Sequence, residues 1–316
     1  MRNLVFLFTF SFLFISCGKT DELLCQDEKE EAKYYLTKEN CSKAFSALDG
    51  GSCGNDDAEY IALRASAYGC QANYSELDFF DLDVSSINSS SLLSSLAGLS
   101  SSDETEADST EFVALQTAIQ TILTSTSGNP SAAQRNSTFG SEQGTNLNFQ
   151  ALFMITVQLG KYFAYYGNAD NAGSKGSGTL GNTCIYSYTN ADAIDWVSTT
   201  APDTGTCTGS GQGSSDLENP VAAAEIKTRL CEGIILFNNF MDILGNVDLS
   251  DSIYGDLSQV ESAINGLYTI AIGAESAYSS NTISIVRDVR SQSDCEALTT
   301  EQIEKYFAIF FESIYL

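Results

Sequence analysis

Proline stands at only three positions, 130, 202 and 220, in a chain of 316 residues. Proline is the residue that most strongly breaks a helix interior, so long proline-free intervals rich in Ala, Leu, Glu and Gln favour helix. Apolar spacing says where the helices fall. Glu111–Thr124 places Phe112, Leu115, Ile119, Ile122 and Leu123 on one stripe, the pattern of an amphipathic helix. Leu147–Tyr166 is apolar nearly all round, and Gln150, Gln158 and Lys161 within it argue for a central core helix over a membrane span. Two short helices read between Asp27 and Leu48, broken at Lys38-Glu39-Asn40, and Asp56 or Asp57 caps a third, Ala58–Ala72. Pro220 suits the first turn of a helix running to about Leu244, followed by Leu249–Ala277 and Thr300–Ile314. Alternation long enough for a sheet is missing, and Thr282–Val289 reads better as helix or loop than as strand. The expected fold is all-α: a helical array or irregular α-solenoid-like bundle with long Ser/Gly-rich loops and disulfides.

The N-terminus carries a second message. Arg2 precedes a largely apolar run, Leu4–Ile15, that is too short to span a bilayer and ends at Phe14-Ile15-Ser16-Cys17. This is the layout of a secretory signal, and its ending resembles the lipobox of bacterial lipoproteins. The resemblance implies cleavage just before Cys17 and a diacylglycerol on its thiol, with the several acyl chains that stable anchoring needs. By the sorting pattern of enteric bacteria, Gly18 implies the outer membrane. Ordinary cleavage after Gly18, with Ser16 and Gly18 as the small residues, is the alternative, and it would discard Cys17.

Eight cysteines follow: Cys25, Cys41, Cys53, Cys70, Cys184, Cys207, Cys231 and Cys295. An even number in an exported chain implies disulfides, though eight cysteines permit 105 pairings. Spacing narrows them: the four from Cys25 to Cys70 pair among themselves, Cys184 and Cys207 close a Gly/Ser/Thr-rich loop, and Cys231 is left for Cys295. No Cys-x-x-Cys pair offers a zinc site. The balance of 15 Lys+Arg against 41 Asp+Glu, a net charge of −26, opposes nucleic-acid binding, which relies on basic groups neutralising phosphates. The acids are scattered and read as a solvated surface that keeps the chain soluble, with a basic or cationic partner as the sharper alternative. Histidine is absent, which removes Ser-His-Asp and Cys-His catalysis and His-ligated metal.

Ala32 and Tyr35 recur as Ala65 and Tyr68, and Ala44 is matched by Leu77 at the same interval. With Leu48, these small and large positions resemble the packing residues of a tetratricopeptide repeat. The resemblance implies antiparallel helical hairpins, in which small residues admit large ones from the neighbouring helix. Five segments follow: a signal peptide (1–16), an anchor and tether (17–26), repeat-like hairpins (27–84), a Ser-rich linker with one amphipathic helix (85–146), and a helical body (147–316) with a Gly-rich loop region at 167–217.

Other candidates carry less chemistry. Asp78, Asp81 and Asp83 alternate with Phe79, Phe80 and Leu82; this could form a calcium or glycosidase-type acidic site, but reads better as an amphipathic segment with one solvated face. Asp248, Asp251 and Asp256 bracket a helix start, where acids cap. The glycines at 173, 176, 178 and 181 around Lys175 lack the Gly-Lys-Ser/Thr ending of a phosphate loop, and there is no Gly-x-Ser-x-Gly elbow. The aromatic group of Tyr162, Phe163, Tyr165 and Tyr166, with Tyr186, Tyr188 and Trp196 beyond it, has the spacing of core packing. The functional expectation is a membrane-tethered scaffold that docks a protein or peptide between helices, without catalysis, metal or cofactor. The alternatives are a carboxylate-dependent hydrolase of envelope glycans and a purely structural envelope lipoprotein.

Overall fold

The computed structural model describes residues 20–74, 109–125, 128–167, 184–200, 207–208, 212–218, 223–248 and 282–312, with isolated positions at 265–266, 269 and 272–273. Cys17, Leu77, the Asp78–Asp83 cluster, the Ser-rich segment 85–108, the glycines from 173 to 181, Asp251 and Asp256 lie outside the described residues, as does most of Leu249–Ala277. The fold is all-α. Its one β feature among the described residues is an isolated parallel bridge between Tyr188 and Thr208.

The N-terminal layer has three helices: α1 (Asp21–Leu36), α2 (Cys41–Leu48) and α3 (Ala58–Gln71). Helix α1 begins before Asp27 and takes in residues 21–26, so the segment expected as tether is helical from Asp21. The cause is local: the Thr20 side chain accepts from Leu23 N, and Asp21 and Glu22 complement the helix dipole. Asn40 and Asp57 cap α2 and α3 in the same way. Fully buried Ala32 and Ala44 let α1 and α2 approach, and they close a small core with Leu48, Tyr60 and Ala67, against which Tyr35 packs. Disulfides Cys25–Cys53 and Cys41–Cys70 staple this layer. Ala65 faces the other way, into the main core, and Tyr68 packs at that core's edge with its ring 4.4 Å from that of Phe45.

The main core is built on α4 (Thr110–Leu123), α5 (Ala132–Phe139) and α6 (Ser141–Tyr165). Helix α5 forms in a stretch that reads as polar and Gly-punctuated. A reciprocal capping box between Ser131 and Gln134 starts it, and Ala132, Arg135 and Phe139 face inward. Helix α6 starts at Ser141, not Leu147, so the boundary drawn at 146/147 falls inside one helix. No helix of the described residues is long and apolar enough to cross a membrane.

The C-terminal half adds α7 (Ala191–Thr200), α8 (Ser215–Glu218), α9 (Ala223–Leu244), α10 (Thr282–Val286), α11 (Gln292–Ala297) and α12 (Thr300–Phe307), which continues into a π-helical turn, Ala308–Glu312. Helix α7 lies within the region 167–217 that reads as loop; Asn190 Oδ1 caps it, accepting from Asp192 N and Ala193 N. Disulfide Cys184–Cys207 closes that region and Cys231–Cys295 ties α9 to α11.

Helix α6 packs against α3, α4, α5 and α9. Two glycines set its approach distances. A Cβ at Gly233 would lie 2.6 Å from the Tyr162 ring, whose hydroxyl donates to Arg229 O at 3.0 Å. A Cβ at Gly144 would lie 2.5 Å from Asn136 Cα, in backbone that cannot step aside. Gly144→Ala is expected to cost about 1–3 kcal/mol by overpacking α5 against α6. Gly245→Ala, whose Cβ would meet its nearest neighbour at 3.5 Å, is expected to be near neutral. Urea midpoints of the two variants check the contrast.

Candidate functional site

A cleft of about 570 Å³ runs between α3 and α6. That is within the range of ligand-binding clefts. Small residues on α3, Ala58, Ala62 and Ser66, recur at helical spacing and leave the space; Glu59 stands beside them. Across from them α6 presents Glu142, Gln143, Asn146, Leu147 and Gln150. Ala58 and Leu147 are buried and give an apolar base, whereas Glu142, Gln143 and Asn146 are exposed at the rim. Gln150 holds the two walls together, its Nε2 donating to Ala62 O at 3.1 Å and to Ser66 Oγ at 2.9 Å.

An ion network backs the α3 wall. Lys29, only 8% exposed, reaches Asp57 and Glu59, each at 2.8 Å, and Lys33 reaches Glu59 at 2.6 Å and Glu30 at 2.8 Å. Hydrogen bonds from the two lysines hold the Glu59 carboxyl below the ordinary range. Asp57 is also held low; its burial acts the other way, but the Lys29 and Tyr60 N–H donors outweigh it.

Buried carboxylates gather elsewhere, around segment 184–190. Glu312 Oε1 accepts from Ile185 N at 2.8 Å and from the Tyr188 hydroxyl at 3.0 Å. Glu304 accepts from Thr189 N at 2.9 Å, Asn190 N at 2.7 Å and the Thr189 hydroxyl at 2.8 Å. Glu218 takes Ser187 N and the Ser187 hydroxyl. Burial and the adjacent carboxylates push both the Tyr186 and Tyr188 hydroxyls well up. Burial also raises the Glu218 carboxyl, against its two Ser187 donors. Each carboxylate is thus occupied in fixing backbone, which is a structural use. No set of three potential metal ligands is grouped among the described residues.

The structure therefore brings Ala32, Tyr35, Ala44 and Leu48 together in the N-terminal layer and sends Ala65 and Tyr68 to the main core. Tyr162, Phe163, Tyr166, Tyr188 and Trp196 are buried in that core. The groove residues Glu59, Glu142 and Asn146 escaped sequence reasoning. The small residues of α3 at 58, 62 and 66, and a glutamine at 150 on an otherwise apolar helix, were the available signals. Compared with known proteins, the chain matches no family model, no curated protein and no solved structure.

Two groups make the energetics testable. Glu304→Ala would strand two backbone N–H groups and is expected to cost about 3 kcal/mol or more, read as a lower urea midpoint. Burial raises the Glu232 carboxyl from 4.5 to about 7; Arg229 opposes this and Glu296 adds to it. A folded-state value above the unfolded one means the folded chain binds the extra proton, so stability falls as pH rises through that window. Glu232→Gln is expected to be more stable than wild type at pH 8 by on the order of 2 kcal/mol, and equal to it below pH 4. Denaturation at the two pH values checks this.

Proposed function

We propose that this chain is a lipoprotein of the bacterial cell envelope, tethered at the outer membrane through acylated Cys17, whose helical body binds a protein or peptide segment and does not act as a catalyst. The observation that carries the binding reading is the α3–α6 groove, with its apolar base and a rim of carboxylate and amide groups. Such a lining suits an extended chain, which has both apolar side chains to bury and backbone groups to satisfy. The walls are preorganised by Gln150 and by the two disulfides behind α3, which limits the ordering cost of binding. The anchor rests on Phe14-Ile15-Ser16-Cys17, and four disulfides suit an oxidising compartment. A carboxylate hydrolase draws less support, because Glu218, Glu304 and Glu312 are engaged with the 185–190 backbone.

Mass spectrometry of the mature N-terminal peptide from native membranes is expected to give an acylated chain beginning at Cys17. An unacylated chain beginning at Lys19 would contradict the anchor. A photo-crosslinking side chain at position 146 is expected to capture a partner from wild type and lose it in Ala62→Trp, which fills the groove. Capture undiminished by Ala62→Trp would contradict the groove.

A further inference from the structure

Resting on the groove reading above, we infer that the occupant of the α3–α6 groove is a basic segment of a partner protein, an extended stretch carrying Lys or Arg side chains. The lining contains two carboxylates, Glu59 and Glu142, and no Lys or Arg. Glu142 is exposed at the rim, in the first turn of α6, with Gln143 and Asn146 beside it. The other wall does not cancel this charge. Behind it Glu30, Asp57 and Glu59 meet Lys29 and Lys33, three carboxylates to two ammonium groups, so the network retains a negative charge.

That same network shows the wall's chemistry in use. The Glu59 carboxylate already seats two ammonium groups from α1, at 2.8 Å and 2.6 Å. An incoming cation would meet Glu142 first, with neutral amides and Ser66 to take its backbone. The whole molecule adds a long-range field, since the net charge is −26. Such a field speeds the approach of cationic chains and disfavours acidic ones, and it is screened by salt. The groove then decides where the chain settles.

A labelled Gly/Ser peptide series of equal length, carrying lysines, glutamates or no charge, tests this by fluorescence anisotropy. The protein is the mature chain purified from membranes with disulfides intact. Lysine peptides are expected to bind best, and to weaken about tenfold or more in Glu142→Lys and in Ala62→Trp. They are expected to be unaffected by Asp288→Lys, an equal change of net charge on the exposed turn after α10. Equal weakening by Asp288→Lys and Glu142→Lys would overturn the inference, because the general field would then explain the preference. Neutral and lysine peptides bound alike and lost together in Ala62→Trp would overturn it too, while leaving the groove reading intact. Binding that survives both groove variants, or no binding by any peptide, would remove the groove reading with it. Glu142 is exposed, so its variant keeps the test valid if Ala62→Trp unfolds.

Discussion

The burial of α6 on nearly every side is the constraint on which the rest of the structure depends. Leu152, Met154, Ile155, Leu159, Tyr162 and Phe163 are all wholly inaccessible to water. Each large apolar side chain so placed contributes roughly 1.5–3 kcal/mol. A helix buried this way cannot leave its polar groups unmatched, and most are matched. Asn148 accepts from Arg135 and donates to Ala132 O and Asn136; Thr156 returns its hydroxyl to Leu152 O; Gln158 Nε2 donates to Phe112 O. The Asn148 and Gln158 bonds fix the register of α5 and α4 against α6, which apolar packing alone would leave free to slide. Gly144 and Gly233 then set how closely α5 and α9 approach.

Away from α6 the packing thins and other devices take over. The N-terminal layer closes on three alanines, a leucine and a tyrosine, too little apolar area to hold three helices alone. Two disulfides, each closing a loop of similar length, compensate by limiting the unfolded chain. The segment after Cys184 is held differently, by glutamates from α8, α12 and the π turn that take its backbone N–H groups. The π turn widens the helix so that Glu312 points inward, fully buried, while Phe307 and Phe311 stack at 4.2 Å. The groove lies between these regimes, one wall on the stapled layer and the other on the core helix.

What the sequence could reveal follows from the range of the interactions involved. The stripe at 112, 115, 119, 122 and 123 is local and repeats with the helix period, so α4 was legible within a residue at each end. Cysteine spacing carried the Cys184–Cys207 and Cys231–Cys295 pairings because few partners lie within reach. Helices α5 and α11 were not legible from apolar spacing, since both are short and begin at a serine cap in a polar stretch. The contacts of Glu304 and Glu312 join residues more than a hundred positions apart, as in Glu304 with Thr189 and Asn190, and no local pattern announces them. The groove is of the same kind. Ala62 and Gln150 become one surface only once α3 lies on α6.

Hydrogen exchange of the α6 backbone tests most directly the claim that this helix organises the fold. If α6 is the axis, amides from Ala151 to Phe163 exchange only through global unfolding, with the same free energy as denaturant melting, while α1 and α2 open at lower cost. Exchange of those α6 amides through a cheaper, partial opening that leaves the N-terminal layer protected would contradict the account.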